Sequence, residues 1–119
     1  MDIGENMIQD KTKELIKKGI SVETENAINT WGDKYNSLHE GYAVLKEEIE
    51  EVKEQTENLE SNIEAMWRNI RVNRDGVVSY CIRSMTGNLQ SLIAEAFQCC
   101  AVINKIQNTI NEMRGKKDD

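Results

Sequence analysis

The chain has 119 residues, of which 39% are hydrophobic, a formal net charge of −6 and no proline. This composition is typical of a folded, mostly helical protein, and we expect a single domain over residues 1–119. The negative charge argues against a DNA or RNA partner, because no stripe of Lys and Arg is present to displace phosphate counterions. No apolar run approaches the length of a membrane span, so no membrane partner is expected.

The first segment, "ENMIQDKTKELIKKG", predicts a helix that stops at Gly19. Ser21 is then a candidate cap for a short second helix that reaches about Trp31, and "WGDKYN" is predicted to be a loop. The N-terminal part is therefore expected to consist of short helices.

A long helix is predicted to begin at Ser37, because Glu40 follows three residues later and completes a capping box. Apolar residues then recur in steps of three and four residues, which predicts one buried helix face. The members of this apolar stripe are Leu38, Tyr42, Leu45, Ile49, Val52, Leu59, Ile63, Met66 and Ile70.

The segment "NRDG" is predicted to break the pattern at Asp75–Gly76, and a last helix is expected from about Val77 to Met113. No strand-like alternation is present, so the predicted class is all-α. Two long helices, completed by shorter N-terminal helices, form the predicted bundle. Long amphipathic helices in a chain of this size favour self-association, which would cover the apolar surface that remains.

Three cysteines, two of them adjacent at Cys99 and Cys100, match neither a disulfide framework nor the spacing of a zinc site. We expect reduced thiols that fill a helix interface. Reduced thiols predict a cytoplasmic location.

The long helix carries six glutamates between residues 40 and 54. Several form like-charge pairs four residues apart, which helix stability does not explain. Glu50 and Glu54 fall opposite the apolar stripe, on the predicted solvent side. Glu48 borders the stripe, Glu51 lies just outside it and Glu47 a little further round. Glu48 and Glu51 are therefore the pair expected to point into a cleft between helices.

Glu95 is the single acid between residues 88 and 111, on an otherwise apolar helix. An isolated carboxylate on such a surface has to be neutralised or paired with a cation. One alternative is a salt bridge to Arg or Lys of another helix. The other is a metal site that Glu95 forms with Glu48 and Glu51, to which Gln98 adds an amide oxygen.

Three carboxylates and an amide oxygen would form an all-oxygen site, which suits Mg²⁺ or Mn²⁺ and not zinc. Such a site can activate a water molecule and neutralise charge on a phosphoryl group. A bound metal would also explain how an acidic protein can bind a polyanion.

The segment "SLHEGYAVLKEEIEEVKEQ" (37–55) resembles the first motif of the MazG-like all-α nucleoside triphosphate pyrophosphatases, whose signature is EExxE followed by ExxD. The segment "EAFQCCAVI", which begins at Glu95, resembles the second motif. The flanking "WG", "SLHE" and "MWRNIR" resemble the phage and Firmicutes-type branch of the family. The similarity covers roughly residues 25–113.

The resemblance implies a helical bundle that assembles as a dimer or tetramer and hydrolyses an NTP or dNTP to the monophosphate and pyrophosphate with Mg²⁺. It implies Glu48, Glu51, Glu95 and Gln98 as metal ligands. Glu47 and Glu48 are the expected catalytic residues, with Glu47 as an accessory ligand or a base that orients water. Because Gln98 stands where the signature has Asp, an alternative is a weak or inactive relative that acts as a nucleotide-binding or interaction scaffold. A third possibility is a structural coiled-coil protein.

Several other residues are candidates for contact with substrate. Trp31 and Tyr35 precede the motif helix and would either stack on a nucleobase or pack in the core. Lys105 would contact phosphate or form an exposed salt bridge. Trp67 and Tyr80 are expected in the core or in an interface.

Overall fold

The computed structural model describes residues 3–118, with side chains from 9 to 115, and over this range the chain forms three α-helices and no strand. Helix α1 spans Ile3–Trp31, α2 spans Leu38–Arg71 and α3 spans Asp75–Asp118. The predicted all-α class is therefore confirmed. Within the described range, no helix combines the length and the apolar character that a membrane crossing requires.

Contacts within the chain divide it into two compact units. The first unit comprises residues 1–45 and 97–119, and the second unit comprises residues 46–96. The single domain expected from the sequence stays a prediction.

The prediction that α1 breaks at Gly19 and restarts at Ser21 is wrong, since one helix of 29 residues runs through both positions. Gly19 faces the ring of Phe97 within the first unit, where a Cβ atom would lie 2.5 Å from Phe97 Cε2. The glycine therefore permits close packing and does not end the helix. The helix ends at Trp31, and the next residue, Gly32, has a φ of 87°, the left-handed conformation common after a last helical turn.

Helix α2 begins as the sequence predicts. The Ser37 hydroxyl oxygen accepts a hydrogen bond from the backbone N–H of Glu40 at 3.1 Å, the contact expected of a helix cap. One turn later, Gly41 is buried in the first unit. A Cβ atom there would lie 2.8 Å from Ile106 Cγ1 and 3.1 Å from Tyr35 Cδ2, so the small residue lets α2 approach α3 closely.

In the second unit, residues 46–71 of α2 and 75–96 of α3 form a hairpin. Asn73 adopts a φ of 58°, its N–H donates to Ile70 O at 3.2 Å, and the Arg74 N–H donates to Asn69 O at 2.9 Å. This pattern is a Schellman motif, which closes the end of α2. The predicted break at Asp75–Gly76 is therefore wrong by a few residues, because these two residues already form the first turn of α3. The short connection makes the two helices antiparallel.

The apolar stripe of α2 is only partly covered by this hairpin. Val52, Leu59 and Met66 are half-buried, whereas Ile49 and Ile63 remain 53% and 60% exposed. Within one copy of the chain, the stripe is therefore buried only in part. The reason is geometrical: α3 is the one helix packed on α2 in this unit, and a single helix covers less width than the stripe occupies.

Two aromatic residues of the second unit also lie at the surface. Trp67 is 59% and Tyr80 is 64% exposed, so a position in the core is wrong for both. The cysteines were expected in a helix interface, and Cys81 is indeed buried in the second unit and Cys99 in the first. Cys100 is half-buried. The Cys81 and Cys99 side chains thus pack between helices, as predicted.

Candidate metal site

Three of the predicted ligands converge in the second unit. Glu48 and Glu51 are three residues apart on α2, a spacing that places them on the same side of the helix. Glu95 reaches them from α3 across the hairpin. One carboxylate oxygen from each residue lies within 4.8 Å of the others, and all three residues are half-buried. The structure thus brings together Glu48, Glu51 and Glu95.

The environment of Glu95 holds a proton close to neutral pH. Burial, the hydrogen bond with Glu51 and the charges of Glu51 and Glu48 together raise the pKa of Glu95 from 4.5 to about 7, and burial is the largest of these causes. Burial also raises the pKa of Glu48, as does the charge of Glu51. Three carboxylates at this spacing therefore need a shared proton or a bound cation.

The raised pKa of Glu95 also disfavours a salt bridge between Glu95 and an Arg or Lys of another helix. A basic partner would lower the pKa of a carboxyl group. For Glu95, burial and the neighbouring carboxylates all raise the pKa. The groups that act on Glu95 are thus acidic, which is what a cation site requires.

The remaining acids of α2 divide as the helix geometry predicts. Glu50 and Glu54 are exposed, which confirms their assignment to the solvent side. Glu47 is exposed and lies outside the converging set, although its charge raises the pKa of Glu48. Gln98 is half-buried on α3 and belongs to the first unit. The roles predicted for Glu47 and Gln98 stay predictions.

The donor set fits the metal that the sequence suggests. Carboxylate oxygens are the preferred ligands of Mg²⁺ and Mn²⁺, whereas zinc sites favour Cys and His. Acidic clusters are also common in proteins that hold no ion. The three glutamates thus offer oxygen ligands of the kind that Mg²⁺ takes, and the metal itself stays a proposal.

The structure also brings together the predicted substrate residues of the first unit. The Lys105 ammonium group donates to Trp31 O at 3.3 Å and lies 4.2 Å from the centre of the Tyr35 ring. The Trp31 side chain is 76% exposed, so core packing is wrong for this residue. Tyr35 is half-buried. Lys105 thus holds the end of α1 and the ring of the loop that follows it.

Sequence reasoning missed Thr109, which anchors this loop. Its side chain is 4% exposed, and its oxygen accepts a hydrogen bond from the Tyr35 N–H at 2.9 Å while the hydroxyl donates to Lys105 O at 2.9 Å. The neighbouring Asn108 donates from Nδ2 to Asp33 O at 2.9 Å. The surrounding sequence gives no signal for this anchor, because Gln107, Asn111 and Glu112 beside it are polar as well.

A cavity of about 180 Å³ lies beside the same loop. Pockets for ligands of drug size usually measure about 300–1,000 Å³, so this cavity is small for a nucleotide. Its wall includes the ion pair of Lys34 and Glu112 at 2.6 Å. The lining residues are Lys34, Tyr35, Asn36, Thr109, Glu112 and Met113.

No protein-family model, curated protein or solved structure matches the chain. The resemblance to the MazG-like family therefore rests on the two sequence motifs. It stays a prediction.

Proposed function

We propose that the chain is a Mg²⁺-dependent nucleoside triphosphate pyrophosphohydrolase, which converts an NTP or dNTP to the monophosphate and pyrophosphate. The observation that carries this proposal is the convergence of Glu48, Glu51 and Glu95, whose carboxylate oxygens lie within 4.8 Å of one another. The pKa of about 7 at Glu95 supports it, because the cluster concentrates negative charge that a cation would neutralise.

Glu48, Glu51 and Glu95 are the residues that would hold the ion. When bound, Mg²⁺ supplies positive charge for phosphoryl oxygens and acidifies a coordinated water. The protein contributes a hairpin that holds the three carboxylates together. Binding of a cation requires Glu95 to release its proton, so metal affinity is expected to rise as the pH increases through about 7. Glu47, exposed beside Glu48, is the proposed accessory ligand or water-orienting base.

The proposed substrate contacts lie in the first unit. Trp31 exposes 76% of its side chain and is the best candidate for stacking on a nucleobase. Tyr35 and Lys105 contact each other, so their proposed role is to support that surface. A dimer or tetramer in the cytoplasm completes the proposal, with no nucleic-acid polymer as partner.

Pyrophosphate release from a panel of NTPs and dNTPs, with and without Mg²⁺, tests this function. Replacing Glu48 or Glu95 by Gln should lower the rate roughly a hundredfold or more, since a metal contributes several kcal/mol to catalysis. Glu50→Gln is the matched control, because Glu50 is an exposed acid of the same helix. Absence of release from every nucleotide, or unchanged rates in both ligand variants, would contradict the proposal.

A second candidate function is a nucleotide-binding scaffold that retains the fold without hydrolysis. Gln98 favours it, because an amide in place of a carboxylate removes one negative charge from the predicted ligand set. Calorimetry would then give tight nucleotide binding without turnover, and Gln98→Asp should restore turnover. A purely structural coiled-coil protein is the third possibility, and it predicts no Mg²⁺ binding to wild type.

A further inference from the structure

One side of α2 in the second unit carries apolar side chains that the chain leaves exposed. Ile49, Ile63 and Ile70 are 53%, 60% and 41% exposed. They stand at multiples of seven residues, and exposed Thr56 occupies the remaining position of the row. A repeat of seven residues is the pattern by which one α-helix packs along another over several turns. The row therefore has the spacing of a helix-packing surface.

This row is half of a two-row pattern. Val52, Leu59 and Met66 form the second row of the same repeat, and these three residues are half-buried in the hairpin. A helix that uses both rows normally inserts them between the side chains of its partner helices. In the second unit α3 covers one row, and the row through Ile49 and Ile63 has no cover from this hairpin.

Helix α3 presents a matching row in the same unit. Ile82, Leu89 and Ile93 are 48%, 46% and 52% exposed. Their spacing of seven and then four residues keeps them on one side of the helix. Each helix of the hairpin thus has an apolar row at the edge of its packed side.

The two rows lie on the same side of the hairpin. Ile49 directly follows half-buried Glu48, and Ile93 directly follows half-buried Leu92. Successive helix residues are about 100° apart in a fixed rotational sense. Each row therefore lies one step of about 100° from the side on which its helix packs. Because α2 and α3 face each other and run in opposite directions, this step points to the same side of the hairpin in both helices. We call this surface the apolar face, and its members are Ile49, Ile63, Ile70, Ile82, Leu89 and Ile93.

We propose that the apolar face packs against the apolar face of a second copy of the chain, with the two α2 helices antiparallel. The long amphipathic helices of the sequence favour self-association, and this inference specifies the surface and the orientation. Two hairpins joined in this way form a four-helix bundle, the usual arrangement that covers apolar rows of this kind. The inference does not depend on the proposed hydrolase activity.

The charges along the outer edge of α2 identify a second copy as the partner. Lys53 and Glu60 are both exposed and lie on either side of the row's midpoint, close to Thr56. A twofold axis near Thr56 places Ile49 opposite Ile63 of the second copy, and Lys53 beside Glu60 of the second copy. A parallel pair would instead place Lys53 of one copy and Glu60 of the other on opposite edges of the interface, where they do not meet. The edge is therefore complementary to itself in the antiparallel orientation, as a twofold interface requires.

Sedimentation of the full chain over a range of concentrations tests the interface. Wild type should form dimers or larger even-numbered assemblies, and Ile63→Glu should raise the dissociation constant on the order of a hundredfold, because each interface would bury two unpaired carboxylates. Leu15→Glu is the control: Leu15 is 69% exposed but lies in the first unit, and its replacement should leave assembly unchanged. Circular dichroism checks that the variants stay helical.

A charge exchange tests the orientation without changing the apolar surface. Lys53→Glu and Glu60→Lys should each weaken assembly about threefold to tenfold, since each places like charges together twice. The double variant should return the dissociation constant to near the wild-type value. A chain that stays monomeric at every soluble concentration, equal effects of Ile63→Glu and Leu15→Glu, or failure of the double variant to restore assembly would each overturn the proposal.

Discussion

The two units differ in the partners of their partly buried polar groups. In the first unit, Thr109 supplies the acceptor for the Tyr35 N–H, and the Lys105 ammonium group rests against a carbonyl and an aromatic ring. In the second unit, Glu48 and Glu95 share a site in which the neighbouring charges have the same sign. In the first unit, hydrogen-bond donors contact acceptors, whereas in the second unit carboxyl groups lie beside other carboxyl groups.

This difference distinguishes a structural polar contact from a candidate binding site. A satisfied hydrogen bond stabilises the protein as it is, so its removal should lower the free energy of unfolding. A cluster of like charges opposes folding unless protons or a cation neutralise it. Removal of one carboxylate should therefore stabilise the metal-free protein. The sign of the change, measured at fixed protein concentration because assembly contributes to stability, tests each half of the comparison.

The largest loss of stability is expected for Thr109→Val, which keeps the shape of the side chain but removes its oxygen. The partly buried Tyr35 N–H loses its acceptor in the first unit, and an unsatisfied donor of this kind costs about 1–3 kcal/mol. Chemical denaturation followed by circular dichroism measures the change in the free energy of unfolding.

Thr86→Val is the matched control for this experiment. The Thr86 hydroxyl donates to Ile82 O at 3.0 Å within α3, much as Thr109 does to Lys105, but Thr86 is exposed. Its replacement should change the free energy of unfolding by less than about 0.5 kcal/mol. Equal losses in both variants would show that the contact with Tyr35 does not anchor the loop.

The opposite sign is expected for Glu95→Gln in the second unit. The amide donates a hydrogen bond to Glu51 without needing a proton, and it removes one of three clustered charges. At pH 8 the metal-free variant should be more stable than wild type by about 1–2 kcal/mol, whereas at pH 5 the two should be similar. Metal-free denaturation curves at both pH values give the comparison.

The pH dependence follows from the raised pKa of Glu95. Between 4.5 and about 7 the folded chain holds a proton that the unfolded chain has lost, so stability from this group decreases as the pH rises through about 7. Glu95→Gln should flatten this slope, and Glu50→Gln should retain it. Mg²⁺ should raise the unfolding midpoint of wild type more at pH 8 than at pH 6. Parallel slopes for wild type and Glu95→Gln would contradict the shared-proton interpretation.

A smaller contrast involves two glycines in the middle of helices. Gly19→Ala would place a methyl group against the Phe97 ring, at 2.5 Å from Cε2, so the cost of overpacking should exceed the helix-propensity gain and leave a net loss of about 1 kcal/mol. Gly87→Ala meets nothing within 4 Å and should gain about 0.5–1 kcal/mol. Thermal unfolding of both variants tests the pair, and a gain at Gly19 would mean that Phe97 does not pack there.

These examples indicate which features sequence reasoning could reach. The cap at Ser37 and the position of Glu48 and Glu51 on one side of α2 follow from local spacing. The isolation of Glu95 on α3 indicates that it needs a partner, but the sequence leaves open whether this partner is a basic residue or a metal. Gly19 was misread as a helix stop because its contact, Phe97, is remote in the sequence.

The burial of α2 could not be predicted for a related reason. Periodicity gives the width of an apolar stripe but not which part the neighbouring helix covers, and Ile63 is exposed although it lies within that stripe. Thr109 was missed because its role depends on a backbone N–H, which has no signature in the sequence.

The smallest effect is expected for Lys105→Met, which keeps the aliphatic stem but removes the ammonium group. Loss of the contact with the Tyr35 ring and of the hydrogen bond to Trp31 O should cost about 0.5–1 kcal/mol. Lys13→Met, an exposed residue of α1, is the control and should change little.

This variant also decides between the two roles of Lys105. If the ammonium group acts only in the first unit's own structure, stability falls while the KM for nucleotide stays constant. If Lys105 contacts substrate phosphate, the KM rises severalfold beyond any change in stability, because a charge-assisted hydrogen bond is lost. The structural role is favoured, since the Lys105 Nζ atom already lies 3.3 Å from a carbonyl oxygen and 4.2 Å from the centre of an aromatic ring. A raised KM with unchanged stability would move Lys105 from the structural contacts to the substrate site.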